Sequence, residues 1–121
     1  MISLDRSLSQ DEFNRFATVS GDNNPIHVDP AFSARTRFGR TVSHGMLLYT
    51  VLWGMIQKQY PGARQISQAL MFPNPAYAGD MHRFTLTETA ALGGSRVLTT
   101  QVTRVADGAV VLDGQTEIAL P

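Results

Sequence analysis

The chain has 121 residues, 43% apolar and 17% charged, with ten lysines plus arginines against ten aspartates plus glutamates and no cysteine. Such a length and composition describe one ordinary globular domain over residues 1–121 and exclude a disordered chain. Zero formal charge with no basic run argues against a nucleic-acid partner, and the lack of cysteine removes disulfides, thiolate nucleophiles and zinc–sulfur centres. In chain order, Ile2 to Leu4 reads as a short strand. Ser9, with Glu12 three residues later, forms a capping box for a helix carrying Phe13, Phe16, Ala17 and Val19, which stops at Ser20-Gly21. Gly21-Asp22-Asn23-Asn24-Pro25 is turn chemistry, and Asp29-Pro30 predicts a second, short helix around residues 31–35. From Gly45 to Gln59 almost no polar face remains on the first three turns, the pattern of a helix buried nearly all round, and Pro61-Gly62 closes it.

The remainder reads as strands: residues 67–72, then 83–90, 97–105 and 110–120, with turns at Gly93-Gly94 and Asp107-Gly108. On the last, Val110, Leu112, Ile118 and Leu120 should share one face, opposite Asp113, Gln115 and Glu117. Helical elements, one long buried helix and an antiparallel meander give an α+β architecture of about five strands around a central helix. The apolar stretch from Met46 to Ile56 is too short to span a bilayer. The N-terminal MISLDRSLSQ lacks an apolar secretory core, so a cytoplasmic location without membrane association is the expectation.

The chemistry concentrates in residues 16–33, FATVSGDNNPIHVDPAFS. Acid/base work needs a carboxylate and an imidazole on a rigid support, and a turn stiffened by Pro25 can aim Asp22 and His27 into one cleft. Asn24 between them can orient a water. The same residues also fit a purely structural part: Asp22 as an Asx-turn residue, His27 as a satisfied core histidine.

Phe16-x-x-Val19-Ser20-Gly21-Asp22-x-Asn24-Pro25-Ile26-His27, followed after five residues by Ser33, resembles the hydratase motif of MaoC-like (R)-specific enoyl-CoA hydratases. The likeness continues through His27-Val28-Asp29-Pro30-Ala31-Phe32, Ser43-His44-Gly45-Met46-Leu47-Leu48 and Pro75-Ala76-Tyr77-Ala78-Gly79-Asp80. It implies a hot-dog fold with the helix after His44 as its centre, a homodimer, and an acyl-CoA or acyl-carrier-protein thioester as substrate. It also implies that Asp22 and His27 activate one water, delivering hydroxyl to C3 and a proton to C2 with a (3R) product, and that no cofactor beyond the thioester carrier takes part.

Charge building on the thioester oxygen calls for a backbone N–H at a helix start, which points to Gly45, with close packing as its other reading. His44 is expected to support that helix start or the substrate. Trp53, on the inward side of the central helix, is expected to fill acyl-pocket volume and favour short chains, unless it is simply core. No metal is expected, because the spacing of His27, Asp29, His44 and His82 matches no metal-site pattern. Two rivals remain. A hot-dog thioesterase needs a carboxylate on or near the central helix, and residues 45–59 contain none. A non-catalytic acyl-thioester-binding module has no use for Asp22 and His27 together.

Overall fold

The computed structural model describes residues 1–121 in full. β1 (Ile2–Ser7) leads into α1 (Gln10–Ser20), the short α2 (Pro25–Val28) and α3 (Pro30–Ala34), and the long α4 (Gly45–Gln59). The strands β2 (Arg64–Met71), β3 (Met81–Leu92), β4 (Ser95–Arg104) and β5 (Val110–Ala119) follow. All five strands form one antiparallel sheet in the order β1-β3-β4-β5-β2. The expected meander is β3-β4-β5, and the strands on either side of α4 in the chain become its two edges.

The start of α1 follows from its cap. Ser9 Oγ accepts from the Glu12 N–H at 3.1 Å, and Glu12 Oε1 accepts from the Ser9 N–H at 3.2 Å. Its end is Gly21, whose φ of 80° is the left-handed turn open to glycine. Phe13, fully buried, pins the helix to the core. Loss of such a ring typically destabilises by about 3–5 kcal/mol.

One apolar cluster joins Leu48, Leu52 and Ile56 of α4 to Phe84, Leu98 and Leu112 of the sheet. The helix is not buried all round, however. Met46, Thr50, Gly54 and Lys58 form an exposed stripe at four-residue spacing, because the sheet covers one side of α4 only. The face assignment on β5 also changes. Val111 is fully buried and Val110 only half-buried, because the register shifts by one residue where Val102 and Thr103 of β4 face Leu112 and Val110. That bulge puts Val111 and Leu112 both inside. Gly114 is held without a side chain because a Cβ there would run into the Ala69 carbonyl oxygen of β2. No helix is long and apolar enough to cross a membrane.

Candidate active site

After Gly21 reverses the chain, Asn24 begins α2, an element absent from the sequence reading. Asn24 Oδ1 accepts from the Ile26 N–H at 3.1 Å, and Pro25 occupies the first helical position. Four residues of helix turn His27 inward, where it is 8% exposed. Its Nδ1 lies 2.7 Å from the Val42 carbonyl oxygen. A carbonyl can only accept, so Nδ1–H is the donor and the lone pair of the neutral ring sits on Nε2.

That Nε2 is 3.7 Å from Asp22 Oδ2. The separation exceeds a direct hydrogen bond, yet one water can lie about 2.8 Å from both atoms. The Asp22 carboxylate is 56% exposed and receives only a long bond, 3.4 Å, from the Asn24 N–H. Its acceptor capacity is therefore largely unspent.

His44 ties this pair together. Its ring stacks on His27 with centroids 3.8 Å apart and planes 24° apart, and Phe16 meets it edge-on at 4.9 Å. Its Nε2–H donates to the Asp22 backbone carbonyl at 2.8 Å. Burial holds the His44 pKa below the ordinary imidazole value, opposed by that hydrogen bond. His44 accordingly stays neutral near pH 7, and its buried Nδ1 has no partner.

All three residues line a cavity of about 490 Å³ whose apolar wall includes Phe16, Phe38, Leu48, Phe72 and Val111. Gly45, first residue of α4, also lines it. Its N–H has no intrahelical acceptor, as for any first-turn amide, and it makes no turn or cap bond. A Cβ at Gly45 would approach the Phe72 ring to 2.6 Å.

Two expectations need correction. Asn24 does not reach the cavity, because its side-chain oxygen is committed to the α2 cap. Trp53 is half-buried against the core and does not line the cavity of this chain. The residues the sequence reading missed are Val42, Phe38 and Phe72. Val42 acts through its backbone carbonyl, which leaves no mark in side-chain chemistry; Phe38 lies in a segment with no periodic pattern, and Phe72 stood only as the last residue of an expected strand.

Asp29 caps α3 and His82 sits apart on β3, so neither joins a metal cluster with His27 and His44. Asp22, His27 and His44 do bring ligand atoms within 4.8 Å of one another. Their arrangement suits a metal poorly: His44 Nε2 is spent on a carbonyl, and stacked rings direct their lone pairs side by side instead of onto one point.

Residues 2–110 match the MaoC like domain family. The chain is 36% identical to the (R)-specific enoyl-CoA hydratase of Aeromonas caviae, over 98% of this chain and 90% of that protein. It is 31% identical to the 3-hydroxybutyryl-CoA dehydratase of Methylorubrum extorquens, over 98% of this chain and 76% of that one. The solved structure of the (R)-hydratase from A. caviae superposes with a TM-score of 0.93 at 34% identity, covering 99% of this chain and 93% of the other. The sheet wrapped on α4 is thus a hot-dog fold, and the chain belongs to the MaoC-like family.

Proposed function

We propose that this protein adds water across the 2,3-double bond of an enoyl thioester and catalyses the reverse dehydration, giving the (3R)-hydroxyacyl thioester. The observation that carries this reading is the 3.7 Å gap between Asp22 Oδ2 and His27 Nε2, opening on a largely apolar cavity. A water held there gives one hydrogen to each group and turns its oxygen lone pair toward C3. As the C3–O bond forms, His27 Nε2 takes a water proton, and the alkene electrons move through C2 onto the thioester oxygen. The Gly45 N–H receives that charge, and such a donor is typically worth about 3 kcal/mol of barrier. Proton return to C2 completes the addition, and acid/base assistance of this kind contributes on the order of 10²–10⁴-fold. The sum is H and OH across one bond, with no change of oxidation state overall and no need for a resident cofactor.

Asp22 is the only carboxylate in the cavity wall, and α4 carries none, so the thioesterase alternative has no second acid to use. Incubation with crotonyl-CoA should deplete the enoyl-thioester absorbance, and chiral analysis should find the (R)-3-hydroxy product. An unchanged band across a panel of enoyl-CoAs would refute the assignment. We further propose a homodimer that pairs through β2, an eight-residue edge strand leaving Ile66 and Met71 exposed. Light scattering should find twice the chain mass, and Ile66→Lys should shift it toward one.

A further inference from the structure

Three arginines, Arg35, Arg37 and Arg40, crowd the segment between α3 and α4, and the fold gives them different surroundings. Arg40 is occupied: it donates to both Asp80 carboxylate oxygens, at 3.1 and 3.2 Å, and to the Ala78 carbonyl at 2.7 Å. Arg35 ends α3, lies 5.9 Å over the Phe32 ring and stays outside the cavity wall. Arg37 differs from both. It lines the active-site cavity, and its one side-chain partner is the Phe38 ring, 4.9 Å from its Cζ, which lines the same cavity. A guanidinium resting on an aromatic face has its planar position set while its N–H edges remain free to donate.

Arg37 is also the one formally positive side chain in that wall, and the lone carboxylate there, Asp22, makes no ion pair with it. Free guanidinium N–H groups in the cavity wall call for an anion on the incoming molecule, and phosphate oxygens match their fork geometry. An enoyl thioester has no charge at its reacting end. Its carrier does: the pantetheine arm ends in a phosphate, whether attached to the nucleotide of CoA or to a carrier protein.

We propose that Arg37, held on Phe38, receives the phosphate of the substrate's phosphopantetheine arm. The proposal rests on the hydratase reading and adds a recognition residue to it. Such a contact acts on binding of the arm and leaves the reacting atoms alone, so it belongs in KM and not in kcat.

The test compares wild type with Arg37→Gln and Arg37→Lys on three crotonyl thioesters: CoA, 4′-phosphopantetheine and phosphate-free pantetheine. Arg37→Gln should raise KM about tenfold on the phosphate-bearing thioesters, which corresponds to about 1.4 kcal/mol of lost contact. Its kcat should hold, the lysine variant should recover part of the loss, and the pantetheine thioester should not respond. Equal loss on CoA and 4′-phosphopantetheine would identify the phosphate common to CoA and carrier proteins. Loss confined to CoA would place the contact on its nucleotide phosphates and overturn the proposal. A KM rise of the same size on phosphate-free pantetheine overturns the proposal, as does an Arg37→Gln enzyme unchanged on all three. A loss that follows a carboxylate on the acyl group, glutaconyl against crotonyl on one carrier, overturns it too. Calorimetry with 4′-phosphopantetheine and pantetheine separates this idea from the activity. Phosphate-dependent binding that Arg37→Gln abolishes, in a protein that turns over no enoyl thioester, sinks the hydratase reading and upholds the arginine contact.

Discussion

His44 lies nearly flat on His27, centroids 3.8 Å apart, and with the same ring donates to the backbone of Asp22 at 2.8 Å. One buried imidazole therefore fixes the plane of one proposed catalytic group and the main chain of the other. Its lowered pKa keeps it a neutral donor near pH 7, so it does not compete with His27 for the proton in transit.

Replacing His44 should accordingly lower kcat with little change in KM. His44→Phe keeps a stacking ring but loses the donor to Asp22; His44→Gln can keep a donor but loses the stack. A displacement near 1 Å can cost on the order of 10²-fold in rate, so both variants should fall about 10–100-fold. Steady-state kinetics on crotonyl-CoA checks this, and a loss confined to KM would place His44 in substrate binding instead.

Gly45 is tested by Gly45→Ala with and without Phe72→Ala. The methyl group collides with the Phe72 ring, and overpacking of this kind typically costs about 1–3 kcal/mol. The half-exposed ring can swing away, so the lower end is expected. Removing the ring as well should restore thermal stability. Alanine keeps the N–H, so the double variant, read against Phe72→Ala alone, asks whether the methyl group bars the thioester oxygen from that donor: activity below Phe72→Ala supports the oxyanion role, and activity equal to it would leave Gly45 a packing residue only.

Acyl-chain preference should follow the cavity wall. Met46 lines it and is 44% exposed, so Met46→Ala can enlarge it with little harm to the core. Each added methylene accommodated is worth about 0.8 kcal/mol, or about fourfold in kcat/KM. Trp53→Ala should leave the chain-length profile in place and lower stability. A profile that shifts with Trp53 and not with Met46 would contradict this wall.

Much of this was legible beforehand, for local reasons. The Ser9–Glu12 box, Gly21 and the Gly45–Gln59 run are self-contained signals of a helix start, a helix stop and a long helix, and all three appear where expected. The motif from Phe16 to His27 likewise brought Asp22 and His27 to one cavity. What failed depended on distant partners. The exposed stripe of α4 is decided by how far the sheet extends, and the Val111 inversion by a bulge in the pairing with β4. Asn24 offered two uses for one amide oxygen, and the cap took it. His27 owes its tautomer to a backbone carbonyl fifteen residues away, which no side-chain pattern announces.

Stability should fall in mild acid. Burial lowers the pKa of both His44 and His82 from 6.5 in the folded protein. The unfolded chain then binds more protons than the native one as pH drops below about 6.5, so that stability is present above this value and lost beneath it. Melting temperature should decline between pH 7.5 and pH 5.5 (about one unit either side of the unfolded histidine value), and His82→Asn should flatten the slope. Asp5 and Asp107, whose pKa values are lowered from 3.8 by hydrogen bonds from Arg83 and Arg104, act in a separate, more acidic window. An equal slope in wild type and His82→Asn would remove His82 from the explanation.

A double-mutant cycle on Asp22→Asn and His27→Gln tests most directly whether the two side chains act on a single water. Groups that work as a unit give grossly non-additive losses. Each single change should lower kcat for crotonyl-CoA hydration by about 10²–10⁴-fold, and the double variant should be little worse than the poorer single. Losses that multiply across the cycle would mean two independent contributions, and a shared water would no longer describe the site.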